Sequence, residues 1–195
     1  MRRVIGIATG LVLIAAALSP LPQAQASCVT AARKCQGAPL IGIEVTGGAV
    51  PVPASGGRIS YTLDYSMTWT PSFAPYWGAF WVGGRFPKGA RGPSRAVVLD
   101  ATGERVAVLR CREHSDGVWC AAGSHVPHRG RIVFTARLAP GAGTGAAAAR
   151  LGFDSFEGLD QEESARRFSR TLAREKFCEH RFTTTVTTTQ APSAP

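Results

Sequence analysis

The sequence RISYTLDYSMTWT, at residues 58–70, decides the fold of this chain. Every second position in it is apolar, and Ser, Thr and Asp fill the positions between. The apolar residues are Ile59, Tyr61, Leu63, Tyr65, Met67 and Trp69. Because successive side chains of a strand point to opposite faces, this period predicts one long β-strand with a buried face and a solvent face.

Shorter apolar or alternating segments continue this pattern on both sides of the long strand. Turns rich in Gly and Pro separate them, for example at 87–89 and 140–145. The segments lie at 41–46, 80–82, 96–99, 105–111, 118–120, 132–138, 146–156 and 182–186. Short strands with such turns predict a mostly β chain, folded as an immunoglobulin-like antiparallel β-sandwich in a single domain at residues 41–186.

One short helical insertion is predicted near the C-terminal end of the domain, at about 160–176. Asp160 is a candidate N-cap, and Glu163 follows three residues later, which is the pattern of a capping box. Phe168 and Leu172 would share one face of this helix. A structured loop without a helix is the alternative interpretation of the same residues.

The two ends of the chain carry signals of a different kind. Residues 1–26 have the pattern of a cleaved signal peptide, with a basic start, an apolar run at 4–18 and a small-x-small cleavage site at 24–26. An uncleaved N-terminal anchor is the alternative. An N-terminal segment with two cysteines follows at 27–40, and a disordered Thr- and Pro-rich tail is predicted at 187–195. We therefore expect a secreted protein, in one interpretation held at the cell wall, without a membrane span after cleavage.

The charge of the chain suggests what it meets outside the cell. Its 22 Lys and Arg residues exceed its 13 Asp and Glu residues, for a net charge of +9. A positive surface favours an anionic cell-wall polymer, a glycan or another surface protein as partner. Export argues against nucleic acid. The alternative is that the charge serves only solubility.

Five cysteines in an exported chain predict disulfide bonds rather than free thiols. Cys111 and Cys120 flank the turn 115–117, so a hairpin would bring their sulfurs together. Cys178 is predicted to bond either Cys28 or Cys35, which leaves one cysteine over.

A zinc site is the alternative use of the central cysteines. Cys111, His114, Cys120 and His125 have nearly the spacing of zinc ligands. A disulfide would remove both thiolates, so we expect no metal and no other cofactor.

Several motifs between the long strand and Leu138 resemble a known family. They are the strand start 61–63, the Phe-Pro-Lys-Gly turn at 86–89, the Val-Trp-Cys strand at 118–120, Gly123, the Pro-x-x-Gly turn at 127–130 and the alternating strand at 132–138. Their order is similar to that in the conserved-repeat family of secreted bacterial immunoglobulin-like domains, whose function is unassigned. The chain differs from that family in lacking an asparagine pair before the last strand, where it has the 160–176 insertion, and in carrying the domain once. The resemblance implies a surface or wall-associated sandwich without catalysis, and it implies no site residues.

Catalytic signatures are weak in this sequence, and we expect no enzyme. No serine lies on a glycine-flanked elbow. His114, Ser115 and Asp116 are adjacent in sequence, whereas the members of a triad come from separate elements. The carboxylates of Asp154, Glu157 and Asp160 could form an acid/base pair, but we expect them to be solvated or to cap a helix.

An aromatic segment followed by basic residues is the candidate binding surface. Phe73, Tyr76 and Trp77 lie in or beside a Pro-rich loop, and exposed aromatic faces commonly mark binding sites. The basic residues that follow are Arg85, Lys88, Arg91 and Arg95, of which the first three are assigned to the candidate surface. The alternative is that the aromatic rings fill the core.

Two functions are compatible with these features. The first is a non-catalytic secreted or cell-wall-associated immunoglobulin-like protein with a binding or structural role. The second is a secreted protease inhibitor that presents the disulfide-pinned loop 112–119, from Arg112 to Trp119, to a protease, because a pinned loop costs less ordering on binding.

Overall fold

Antiparallel pairing joins all the described strands into one continuous sheet of 11 strands. The structure is a computed structural model, and it describes residues 27–28, 41–49, 57–69, 78–122, 126–139, 147–159 and 167–188. The elements are β1 Ser27–Cys28, β2 Ile41–Ala49, β3 Gly57–Trp69, β4 Gly78–Arg85, β5 Ala90–Arg91, β6 Arg95–Asp100, β7 Arg105–His114, β8 Gly117–Ala121, β9 Arg129–Leu138, β10 Ala147–Glu157, α1 Arg170–Lys176 and β11 Cys178–Thr188. The prediction of a mostly β, antiparallel chain with one short helix is confirmed.

The strand order is β1-β11-β10-β4-β8-β7-β6-β9-β3-β2, with β5 also paired to β9. Strand β7 belongs to both halves of this order, because residues 105–110 pair with β6 and residues 111–114 pair with β8. We call β1, β11, β10, β4 and β8 sheet A, and β6, β9, β5, β3 and β2 sheet B. The last strand of sheet B also lies close to sheet A: a Cβ added to Gly47 of β2 would overlap Val186 of β11.

The apolar face of the long strand forms the centre of the core, as its period predicts. Ile59, Tyr61, Leu63 and Tyr65 are all buried in the main core cluster, to which strands of both sheet A and sheet B contribute. The ring of Tyr65 lies 5.0 Å, centroid to centroid, from that of Phe153 in β10. Each fully buried side chain of this size contributes about 1.5–3 kcal/mol, so this strand accounts for a large share of the stability.

A second, smaller apolar cluster lies on the outer face of sheet A, under α1. Trp81, Trp119 and Phe156 project outward from three neighbouring strands and contact Ala173 of the helix. The rings of Trp81 and Phe156 meet edge to face at 5.3 Å. The helix therefore covers the outside of sheet A.

The described helix α1 begins at Arg170, within the predicted insertion at about 160–176. Ser169 is its N-cap, with φ −70° and ψ 157°, and its Oγ accepts a hydrogen bond from the Leu172 backbone N–H at 3.2 Å. A helix continuous from Asp160 through Ser169 is therefore wrong, since the backbone is extended at the cap. Asp160 itself lies outside the described residues.

The end of the sheet also differs from the prediction. Strand β11 runs to Thr188, and Thr187 and Thr188 pair with Ala148 and Ala147 of β10. The first two residues of the predicted tail are therefore in the sheet. No helix in the described part of the chain is long and apolar enough to cross a membrane.

The predicted central disulfide is present between Cys111 and Cys120, which face each other across β7 and β8. Cys178 is also disulfide-bonded. The backbone of Cys28 pairs with His180, two residues from Cys178, but the side chain of Cys28 and all of Cys35 lie outside the described residues. The pairing of Cys178 with Cys28 or Cys35 stays a prediction.

Candidate anion-binding face

The outer face of sheet B carries a group of arginines that the strand register brings together. Along β9, Ile132, Phe134 and Ala136 point into the core, so Thr135 and Arg137 point outward. Arg58 of β3 pairs with Arg137 on one side, and Arg91 of β5 pairs with it on the other. Three arginines on three adjacent strands thus form one row across the sheet.

A second pair of arginines extends this row along the neighbouring strands. Arg95 of β6 is the register partner of Arg110 of β7. We call Arg58, Arg91, Arg95, Arg110 and Arg137 the arginine array. All five are exposed, and each has another arginine as its register partner.

The arginine array lacks the carboxylates that would neutralise it. None of its five members forms an ion pair with a carboxylate in the described ranges of the chain. Like charges directly opposite each other on a sheet destabilise it by a few tenths to about 1 kcal/mol per pair. Such an arrangement is stabilised when an external anion lies across the guanidinium groups.

A groove of about 230 Å³ lies within the array. Its walls include Arg91, Arg137 and Thr135 together with the segment 92–94. That segment is fixed in place, because the Cys111 backbone N–H donates to the Ser94 carbonyl at 2.9 Å and a Cβ on Gly92 would overlap Val118. The groove thus contains two guanidinium groups next to the fixed segment 92–94.

An apolar strip borders the array on the same face. Val97 pairs with Val108 on one side and with Val133 on the other. Val108 is 46% exposed and the nearby Val106 is 47% exposed. A ligand that follows the array across the strands would therefore also meet apolar surface.

The far end of this face has mixed charge. A groove of about 560 Å³ is lined there by Glu44, Asp64, Asp100, Arg129 and Arg131, among others. Arg131 Nε donates to Asp64 Oδ1 at 2.7 Å, so two of these charges neutralise each other. The hydrogen bond from the Thr102 hydroxyl lowers the pKa of Asp100. The carboxylate of Asp100 thereby stabilises the adjoining turn. Because both signs of charge occur at this end, it favours neither an anionic nor a cationic ligand.

The structure separates the residues of the predicted binding surface. Phe73, Tyr76 and Trp77 lie outside the described residues. Arg91 belongs to the arginine array, whereas Arg85 lies at the end of β4 on sheet A and Lys88 in the turn between β4 and β5.

The sequence interpretation named Arg91 and Arg95 but missed the other three arginines of the array, Arg58, Arg110 and Arg137. Arg137 lies at an outward position of the alternating segment 132–138, so the alternation in the sequence indicates that its side chain is exposed. No comparable signal shows that Arg58 and Arg91 flank it, because strand register is not local.

Of the other catalytic and metal candidates, His125 and Asp160 lie outside the described residues. Asp116 accepts hydrogen bonds from Arg170 and Arg174 and does not act with His114. Asp154 is fully buried, so the expectation that it is solvated is wrong. No group of three metal-ligating side chains occurs among the described residues.

The disulfide-pinned hairpin is clamped against the helix. Its turn is tight, with His114 paired to Gly117, and Asp116 at the turn binds two arginines of α1. A loop held in this way is not free to present an extended segment to a protease.

Comparison with known proteins gives only distant likenesses. No protein-family model matches the chain, and no curated protein sequence matches it. ACE19, the collagen binding subdomain of the Enterococcus faecalis surface protein ACE, is similar at 8% identity over 80% of this chain and 99% of its own, with a TM-score of 0.39. AggA, the major subunit of aggregative adherence fimbriae type I from Escherichia coli, is similar at 12% identity over 77% of this chain and 96% of its own, with a TM-score of 0.35.

A third structure is AvmM, which catalyses macrocyclization in alchivemycin A biosynthesis. It is similar at 12% identity over 77% of this chain and 91% of its own, with a TM-score of 0.33. At these scores a surface protein and a biosynthetic enzyme are similar to the chain to nearly the same degree. The function is therefore argued from the residues of the chain itself.

Proposed function

We propose that this protein is a non-catalytic, exported binding protein that holds an extended anionic polymer of the cell wall against the outer face of sheet B. The arginine array carries this proposal, because five exposed arginines face one another without a carboxylate partner in the described chain. Guanidinium groups suit phosphate and carboxylate, to which they donate two hydrogen bonds at once.

The spacing of the array fits a polymer better than a small ligand. Neighbouring strands lie about 4.8 Å apart, so Arg58, Arg137 and Arg91 span roughly 10 Å across three strands. Charged groups that repeat along a chain crossing the strands would meet one arginine after another. The neighbouring strip at Val97, Val108 and Val133 would contact the uncharged parts of the same polymer.

The location and the family are part of the same proposal. The signal-peptide pattern at residues 1–26 supports export, and the motif order between residues 61 and 138 supports an immunoglobulin-like sandwich of the conserved-repeat family. A basic face of this kind is useful outside the cell, where wall polymers supply the opposite charge. The protease-inhibitor alternative has no comparable support, since its loop is clamped by Arg170 and Arg174.

A charge-reversal experiment tests this function. Arg91→Glu with Arg137→Glu should weaken co-sedimentation of the mature protein with purified, polymer-bearing bacterial cell walls by about tenfold or more, which corresponds to about 1.4 kcal/mol. Binding by the unmodified protein should also fall as salt rises from 50 to 300 mM, since exposed charges are screened within about 10 Å at 0.1 M.

The matched control has the same net charge at a different place. Arg105 and Arg129 are exposed, and Arg129 lies eight residues along β9 from Arg137, or roughly 26 Å. Arg105→Glu with Arg129→Glu should leave most of the binding intact. Equal losses in both double variants would show that net charge alone is responsible, and the array would then have no special role.

A further inference from the structure

A second basic groove lies on the outer face of sheet A, beside α1. Its volume is about 270 Å³, roughly nine water volumes at ~30 Å³ each. It is lined by Gly84, Arg85, Asp116, Trp119, Arg150, Arg181 and Thr183. The groove is thus below the usual range for drug-sized ligands and suits one small group.

Three arginines from three strands project into this groove. Arg85 of β4 and Arg150 of β10 are register partners, and Arg181 stands on β11. Neither Arg85 nor Arg150 forms an ion pair with a carboxylate within the described ranges. Their like charges face each other, and neither has a carboxylate partner among the residues that the structure describes.

The guanidinium groups are held in position by neutral acceptors. Arg85 Nε donates to the Asp116 carbonyl at 3.3 Å. Arg150 donates through Nε and Nη2 to the Thr183 hydroxyl, both at 3.2 Å. The side chains are therefore oriented before any ligand arrives, which lowers the entropy cost of binding.

The acidic member of the groove wall does not oppose an anion. Both carboxylate oxygens of Asp116 accept hydrogen bonds from Arg170, at 2.7 and 2.8 Å, and Oδ2 also accepts from Arg174 at 2.8 Å. These guanidinium groups hold the pKa of Asp116 at about 2, so its charge is matched by its own partners.

The charge balance of the whole cluster is positive. Five arginines contribute to it, and in the described part of the chain the carboxylates paired with them are Asp116, Asp154 and Glu179. The five are Arg85, Arg150, Arg170, Arg174 and Arg181. The groove therefore has an excess of hydrogen-bond donors and of positive charge, and arginine itself has no acceptor to offer.

From this geometry we infer that the groove of sheet A is a binding site for a tetrahedral oxoanion, a phosphate or sulfate group, held by Arg85 and Arg150. Arg181 stands beside them in the wall, with its Nε and Nη2 donating to Glu179 Oε1 at 3.0 and 2.9 Å. A phosphate or sulfate group presents several acceptor oxygens in different directions and matches the donors of more than one guanidinium fork at once. A planar carboxylate has fewer acceptor atoms and should bind more weakly. The site is separate from the arginine array, so it stands whether or not the array binds a polymer.

NMR titration of the mature protein tests the inference with inorganic phosphate and inorganic sulfate as probes. Trp119 lines the groove, and its indole N–H has no partner among the described residues, so its resonance reports local change. We expect saturable shifts of that resonance with phosphate and sulfate. With acetate, the same shifts should require concentrations at least fivefold higher. No saturable shift with either tetrahedral anion would overturn the inference.

Two double variants distinguish this site from the arginine array. Arg85→Gln with Arg150→Gln should weaken phosphate binding at least tenfold, whereas Arg58→Gln with Arg137→Gln should leave it within twofold. Retained binding in the first variant, or lost binding in the second, would contradict the assignment. All four positions are exposed, so the variants should fold, which their thermal transitions will show.

Thr183→Val offers a milder test if the first variant unfolds. It removes the hydroxyl that orients Arg150 and keeps every charge. We expect phosphate binding to weaken about threefold, and unchanged affinity would show that Arg150 does not take part.

Discussion

At the residue scale, the most consequential side chain is Arg170 at the start of α1. Its side chain is only 2% exposed, and it lies between Asp116 and Asp154. The guanidinium carbon also lies 3.9 Å from the ring centroid of Trp119. Burying charged groups ordinarily costs free energy. The cost is offset here because the Arg170 guanidinium donates to both carboxylates and stacks on the aromatic face.

Replacing this arginine should be costly. Arg170→Met leaves the fully buried Asp154 without its closest cation, so we expect the free energy of unfolding to fall by about 3–5 kcal/mol. Arg131→Met is the matched control, since it breaks an exposed pair with Asp64 and should cost less than about 1 kcal/mol. Urea denaturation measures the free energy of unfolding of both variants. Similar losses would mean that the ion pairs of Arg170 contribute no more than an exposed ion pair.

Glu179 lies beside this cluster and contributes stability that falls as the pH rises. Burial, and then the nearby Asp154, raise the pKa of Glu179 from its usual 4.5 to about 7, although Arg174 opposes the rise. Because the folded state binds this proton more tightly, the associated stability is complete below pH 4.5. It is lost as the pH rises through about 7. The charged groups that face Glu179 are Asp154, Arg174 and Arg181.

Glu179→Gln isolates this effect. Glutamine stays neutral, so the stability of the variant relative to the unmodified protein should increase as the pH rises from 5 to 8, by up to about 1.4 kcal/mol per pH unit. Titratable groups distant from Glu179 contribute equally to both proteins and cancel in the difference, whereas the neighbouring Asp154 is affected by the substitution. Denaturation at several pH values measures it, and a difference that does not change with pH would contradict the raised pKa.

At the element scale, α1 depends on the sheet beneath it. Its seven residues are too few for a helix to be stable alone. Ala173 is buried against the Trp81 and Trp119 cluster, and Arg170 and Arg174 bind carboxylates of the turn before β8 and of strands β10 and β11. The disulfide between Cys111 and Cys120 closes the hairpin that presents Asp116 to the helix.

The N-cap should make a measurable contribution to this docking. Ser169→Ala removes the acceptor for the Leu172 N–H and should lower the free energy of unfolding by about 1 kcal/mol. Ser169→Asp retains a side-chain acceptor at the same place and should lose little. Thermal denaturation compares the two, and equal losses would indicate that the hydrogen bond at the cap is unimportant.

At the scale of the whole molecule, positive charge is concentrated at two places on different sheets. The arginine array lies on the outer face of sheet B, and the smaller groove lies on the outer face of sheet A. The first is broad and exposed, which suits a repeating polymer. The second has oriented donors and a small volume, which suits one oxoanion. The two proposals therefore concern different surfaces and are tested by different variants.

The sequence alone determined the strands, because a period of two is a local property. The alternation from Ile59 to Met67 encodes which face is buried, whatever the strand pairs with. The Cys111–Cys120 hairpin is local in the same sense, since a short turn brings the two cysteines together.

Only the tertiary structure decided the sites, because register is set by packing between distant segments. Arg58, Arg91 and Arg137 come from separate parts of the chain and meet only when β3, β5 and β9 pair. The burial of Arg170 and Asp154 depends likewise on where α1 docks on sheet A. No local pattern contains that information, because such contacts exist only after the core has fixed the position of each strand.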